Sequence, residues 1–198
     1  MHLKPSPLAI FGIVVLAAFT IFITWRAKRL EKNIENHDQS TALVGKPAPD
    51  FDLMSLDGRK ITLAEYRGKK KLVVSFWASW CGPCRLELPM LREFYQRHRK
   101  PDDNFEILAI SIDDNHDDAE EYATKAKLPF PVLLDLDSSV AGSYGVDGIP
   151  TMFIVDEKGK VIYGHAGLDE TLNISLVHRL GLTPVTPAEG AASDDSSN

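Results

Sequence analysis

Two cysteines stand three positions apart in Trp80-Cys81-Gly82-Pro83-Cys84, and the chain has no others. Thiols at that spacing can close a disulfide when a helix begins between them. Upstream, residues 71–77 contain Leu72, Val73, Val74, Phe76 and Trp77, an apolar run of strand character. Downstream, Leu86, Leu88, Met90, Leu91 and Phe94 are spaced as one face of an amphipathic helix. A strand that feeds a helix, with a cysteine at the helix N-terminus, makes a thiol acidic and reactive, because unpaired N–H groups and the helix dipole favour an anion there. A division of roles follows. Cys81, at the helix start, attacks a substrate disulfide, and Cys84, one turn in and less exposed, resolves the mixed disulfide. Pro83 fits the first helical turn, whose N–H is unpaired in any case. The competing readings are a zinc half-site and two inert thiols. The aromatic residues Phe76, Trp77 and Trp80 around the loop favour redox chemistry.

The elements that must hold this loop can be read along the chain. The composition is that of a globular protein, with 44% apolar and 25% charged residues. A formal net charge of −6, with no basic stretch interleaved with aromatics, excludes a nucleic-acid partner. Lys69, Lys70 and Lys71 read as a solvated lead-in to the strand. The six histidines are scattered with no H-x3-5-H pair, so no metal site is expected.

Residues 7–25 carry no charge. As a helix they would span ~28 Å, about the hydrocarbon core of a bilayer, with Trp25 as interfacial anchor. One N-terminal transmembrane helix, retained as a single-pass anchor, is therefore expected. A cleaved signal peptide is the alternative, disfavoured by the length of the run and by the lack of a small-residue cleavage site. Arg26, Lys28, Arg29 and Lys32 follow, and by the positive-inside rule they keep that flank cytoplasmic. The expected organisation is an anchor with its flanks over residues 1–32, a polar linker over 33–45, a folded domain over 46–182 and a disordered tail over 183–198.

Inside the domain, Asp57-Gly58 marks an N-terminal hairpin, and Gly68 stops a single helical turn. The pattern then predicts a strand at 71–77, a helix at about 82–99, a strand at 105–112, a helix at about 117–127, a strand at 131–134 and a short helix at 138–144. A hairpin of strands 151–155 and 161–163 and a helix at 169–180 close the domain. Strands alternating with helices imply an α/β fold with a central mixed β-sheet flanked by helices.

The string Phe76-Trp77-Ala78-Ser79-Trp80-Cys81-Gly82-Pro83-Cys84 resembles the thioredoxin active site. Pro89 matches the helix proline of that fold, and Gly148-Ile149-Pro150-Thr151 matches its cis-proline loop. Cys84-Arg85-Leu86-Glu87-Leu88-Pro89, with the extra elements at 117–134, is similar to a narrower group. These are the membrane-anchored TlpA/ResA-type thiol-disulfide oxidoreductases, including cytochrome c maturation thioredoxins. The resemblance implies a thioredoxin fold with a central βα insertion over residues 46–182. It also implies a monomeric reductase of protein disulfides, with an extracytoplasmic catalytic domain that conflicts with the flanking charges. The implied partners are apocytochrome c or oxidase assembly factors, with a membrane electron donor for re-reduction and no cofactor beyond the dithiol. Ile149, before Pro150, would offer its backbone to a substrate chain as a strand edge does. Trp77 and Trp80 read as core or surface: Trp77 shares a strand face with Ser75, packs near the site and contributes to the same substrate-binding surface, and Trp80 covers the loop and docks partners.

One departure from the thioredoxin pattern matters. The position of its buried aspartate is Ser75 here, and the paired lysine falls at Ala109. Glu87, three residues after Cys84, becomes the candidate proton acceptor for the resolving thiol; the plainer reading is a first-turn glutamate facing water. A thiol peroxidase is disfavoured because Ala78 stands where such enzymes need a threonine. An anchored chaperone, or a metallochaperone holding Cu(I) on its thiolates, is disfavoured because Met90 and Met152 make no methionine cluster. Tyr144 and Phe153 read as core and His165 as structural. Asp113, Asp114, Asp117 and Asp118 read as caps and solvated charge.

Overall fold

The structure, a computed structural model, describes residues 16–26, 36–100 and 104–183. The chain divides into two compact units, Met1–Asp38 and Gln39–Asn198. In the first, residues 16–26 are helical (α1). Phe19, Phe22 and Trp25 are exposed there, and the Thr20 and Thr24 hydroxyls donate back to carbonyls of their own helix. No helix among the described residues is long and apolar enough to cross a membrane. Residues 7–15 of the expected span, residues 33–35 of the expected linker and nearly all of the expected tail lie outside the described residues.

The second unit is built on seven strands: β1 (Asp52–Ser55), β2 (Lys60–Thr62), β3 (Lys71–Trp77), β4 (Phe105–Ser111), β5 (Val132–Leu134), β6 (Thr151–Val155) and β7 (Val161–Ala166). They form one mixed sheet in the order β2-β1-β5-β4-β3-β6-β7. The inner strands β3, β4 and β5 are parallel, and β1, β2, β6 and β7 join by antiparallel pairing. Parallel strands at the centre are covered on both faces, and β3 and β4 read accordingly as near-continuous apolar runs. From Leu72 to Trp77 every residue is buried.

Helices α2 (Cys84–His98) and α5 (Leu172–Leu180) cover one face. Their Leu88, Leu91, Phe94, Leu172 and Leu176 pack with Val73, Trp77, Met152 and Ile154 of the sheet. On the other face, Phe76, Val74, Ile110 and Phe153 pack around Tyr144, just past the short helix α4 (Ser139–Ser143). The remaining helix, α3 (His116–Ala126), belongs to the connection between β4 and β5. Its start is fixed by Asn115, whose side chain accepts from the Asp118 N–H at 3.0 Å.

Several boundaries move from their expected places, each for a local reason. Helix α2 begins at Cys84 rather than 82, so the first cysteine precedes it. Helix α5 begins three residues late, because the Asp169 carboxylate accepts from the Thr171 N–H and hydroxyl and holds a turn ahead of it. Strand β7 runs on to Ala166, paired with Thr151, and ends at Gly167, whose φ is +92°.

The folded unit also starts earlier than position 46. Residues Asn36–Leu43 form a 3-10 helix, and Ser40 is buried. Gly45 N–H donates to the Val161 carbonyl at 2.8 Å, and Val161 N–H to Lys46 at 2.9 Å. Residues 40–46 therefore cover part of the β7 edge, and only a glycine fits beneath them. A Cβ on Gly164 would lie 2.1 Å from the Ser40 carbonyl oxygen. Gly164→Ala should destabilise the domain by about 1–3 kcal/mol, the usual cost of overpacking. The check is denaturant unfolding, and a Gly164→Ala protein as stable as the parent would contradict the packing described.

Candidate active site

Strand β3 delivers the reactive loop. Its last residue, Trp77, is followed by Ala78, Ser79 and Trp80. The Cys81 N–H then donates to the Ala78 carbonyl at 3.1 Å, closing a turn. Helix α2 starts at the second cysteine, with Pro83 at its cap and without a side-chain cap bond. Cys81 and Cys84 are joined in a disulfide, their Cα atoms 5.3 Å apart. The Cys84 N–H points at Cys81 Sγ from 3.1 Å. In the dithiol form this donor is placed to stabilise a Cys81 thiolate, since it is one of the unpaired N–H groups of the helix start.

The two sulfurs differ in access. Cys84 is 0% exposed and Cys81 4%. Gly82, Pro83, Trp80 and Leu86 surround them on the exposed side. Trp80 and Leu86 are 66% and 60% exposed, which leaves an apolar collar around the sulfur that a partner must approach.

The Ile149–Pro150 bond is cis, as expected from the sequence. Cys81 Sγ lies 3.6 Å from the Ile149 carbonyl oxygen. Thr151 Oγ1 donates to the Gly148 carbonyl at 2.6 Å and Gly167 N–H donates to the Pro150 carbonyl at 2.7 Å. These bonds fix the loop on both sides of Ile149, which is half-buried.

Trp77 requires a correction. It is wholly buried, packs on Tyr122 with ring centroids 5.3 Å apart, and presents no surface to a docking chain. The parity of a strand buried on both faces puts it under α2, where it supports the loop from within.

Glu87 is the larger finding. It does not face water: it is 1% exposed, and the Ser75 hydroxyl donates to its Oε1 at 3.0 Å. Ser75, which looked like a gap, is thus the anchor of a carboxyl supplied by the facing helix. Across the sheet Ser75 pairs with Ala109 and Met152, so no cation from those strands neutralises it. Burial pushes the Glu87 carboxyl up to about 7; the Ser75 bond pulls it down and the Asp169 charge pushes it up. A carboxyl so placed exchanges its proton near neutral pH.

Asp113 also departs from its expected place as solvated charge. It is fully buried and accepts from Ser79 and Ser111. Sequence alone hides such contacts, because Ser79 lies 34 positions away. Among the described residues one trio, His116, Asp117 and Glu120, brings potential metal-ligand atoms within 4.8 Å of one another. It shares no residue with the disulfide site.

A thioredoxin-like sheet that holds a C-x-x-C disulfide against a cis-proline defines a thiol-disulfide oxidoreductase. Residues 44–164 match the model of the AhpC/TSA family, and the chain belongs to that family. It is 38% identical over 124 residues to the thiol-disulfide oxidoreductase ResA of Geobacillus thermodenitrificans, covering 63% of this chain and 70% of the relative. With ResA of Bacillus subtilis it shares 31% identity over 134 residues, 68% of this chain and 72% of the relative. A crystal structure of a Chlorobium tepidum protein assigned as the thiol:disulfide interchange protein DsbE superposes with a TM-score of 0.61 at 31% identity. That match covers 69% of this chain and 94% of the other.

The Glu87 environment makes stability depend on pH in a defined direction. Between about 4.5 and 7 the native protein holds a proton that the unfolded chain has released. Stability therefore falls as pH rises through that window, and the full penalty, about 3 kcal/mol, is present above it. Glu87→Gln should remove most of this loss, gaining stability over the parent at pH 8 and little at pH 5. Denaturant unfolding of the oxidised proteins at both pH values checks this. An equal difference between the two proteins at pH 5 and pH 8 would contradict it.

Proposed function

We propose that the chain reduces disulfide bonds in protein partners, Cys81 attacking and Cys84 resolving. The observation that carries this reading is the approach of Cys81 Sγ to the Ile149 carbonyl, with the Ile149 backbone in no backbone hydrogen bond among the described residues. An extended substrate segment can pair there and bring its own sulfur to Cys81.

The Cys81 thiolate attacks one sulfur of the substrate disulfide, and the other leaves as a thiolate. Cys84 then loses its proton and attacks Cys81 Sγ. The second substrate thiolate departs, and the Cys81–Cys84 disulfide forms. Two electrons pass from the dithiol to the substrate. Glu87 lies one helical turn beyond Cys84 in the same buried layer and takes the proton from Cys84 before releasing it to solvent. No cofactor beyond the dithiol enters the cycle.

The uncharged run over residues 7–25 tethers the enzyme to a membrane as a single-pass anchor, with the catalytic domain on the extracytoplasmic side. The substrates are proteins awaiting metal or haem insertion, apocytochrome c or oxidase assembly factors, and a membrane electron carrier restores the dithiol. The enzyme acts as a monomer. The resemblance to cytochrome c maturation thioredoxins supports this setting.

Cys81→Ser should lower insulin-disulfide turnover by at least about a thousandfold, because the attacking sulfur is lost. Cys84→Ala should accumulate mixed disulfides through Cys81 in cells that express the full chain, and the captured proteins name the substrate and its compartment. Turnover that survives Cys81→Ser would overturn the division of roles. Captured proteins confined to the cytoplasm would overturn the setting.

A further inference from the structure

Asp113 sits where β4 ends, fully buried, and none of its contacts belongs to the mechanism above. Both of its oxygens accept from the Ser79 N–H at 3.0 Å. Oδ1 also accepts from Ser79 Oγ at 2.7 Å, and Oδ2 from Ser111 Oγ at 2.7 Å. In this arrangement both oxygens serve as acceptors, which is how a carboxylate is satisfied. No cation lies within ion-pair distance of it among the described residues.

Its grip falls on the turn that presents the attacking sulfur. Ser79 is the second residue of the turn closed by the Cys81 N–H and the Ala78 carbonyl. Arg85 Nε donates to the Ser79 carbonyl at 2.8 Å from the other side. Strand β4 is itself fixed beneath the loop, because Ile112 N–H donates to the Trp77 carbonyl at 2.9 Å. We propose that Asp113 is a positioning residue for Cys81: it ties the Ala78–Cys81 turn to the end of β4 and, as a buried carboxylate, opposes formation of the Cys81 thiolate. The thiol therefore works between two opposed influences. The Cys84 N–H favours the anion, and Asp113 disfavours it. Other charges face the same region. Arg85 and Glu87 come from α2, and Asp118, Glu121 and Lys125 of α3 border the depression that Ser79 shares with Arg85 and Tyr122. Asp169, ahead of α5, acts on Glu87, and His165 of β7 acts on Asp169.

A destabilised thiolate makes the dithiol give up its electrons more readily, which suits a reductase. The inference rests on Cys81 being the thiol that reacts first. It is tested on the reduced protein by measuring iodoacetamide labelling against pH, with mass spectrometry assigning the labelled cysteine. Asp113→Asn keeps the shape and removes the charge. The Cys81 midpoint should move to lower pH, with labelling below the midpoint about three- to tenfold faster. Ser79→Ala keeps the charge and removes one of its donors, so the midpoint should move to higher pH, with labelling about twofold slower. Opposite movements support the proposal. Midpoints that stay in place, or a rise in Asp113→Asn, would overturn it, since a turn that merely loosened would withdraw Cys81 from the Cys84 N–H. Should Asp113→Asn not fold, an unmoved midpoint in Ser79→Ala overturns it alone. Label arriving first on Cys84 would instead sink the division of roles beneath it.

Discussion

The reactive group depends on the register and the end point of strand β3. Pairing with β4 on one side and β6 on the other buries the strand from Leu72 to Trp77. Alternation then dictates what each residue can do. Val73, Ser75 and Trp77 lie under α2, and Val74 and Phe76 lie on the opposite face. The strand releases the chain where the turn to Cys81 must form, beside the residues that follow β4 and precede β6. A register slip of one residue would exchange the faces. It would remove Ser75 from Glu87 and turn Trp77 away from the helix.

The site is a balance of burial against polarity. A carboxyl enclosed by α2 and the sheet carries a cost that no neighbouring cation among the described residues offsets. One hydroxyl, from Ser75, holds it in place. The cost suits the proton transfer proposed for Glu87, because an ordinary carboxylate would stay ionised at neutral pH and return its proton poorly. Asp113 shows the complementary solution. It meets the same burial with three donor groups, so its charge is accommodated by directed bonds. In the proposed mechanism the two buried acids around one disulfide serve different ends: Glu87 exchanges a proton, and Asp113 holds a loop and a field.

Much of this was legible in the sequence, and the boundary is physical. The strand at 71–77, the cysteine pair, the hairpin at Asp57-Gly58 and the loop at Ile149-Pro150 announce themselves through local chemistry: apolar runs, turn residues and fixed spacing. What stayed hidden was set by tertiary contact. Ser75 read as an absence because its partner comes from another element. Asp113 read as solvated because its donors lie elsewhere in the chain. Trp77 read as a docking surface because its neighbourhood to the cysteines was visible and its burial was not. Residues 33–45 read as a tether because their polar composition conceals the hydrogen bond of Gly45 to the β7 edge. Glu87 was identified by position, while its environment emerged only from the packing of α2 on β3.

The central claim is that the buried pair Ser75–Glu87 moves the proton of the resolving cysteine. Single-turnover resolution of a mixed disulfide on Cys81, followed from pH 5 to 9, tests it most directly. The account predicts a rate that rises through a midpoint near 7 as Glu87 loses its proton, and a slower rate without that midpoint in Glu87→Gln. The same rate and the same midpoint in both proteins would contradict it.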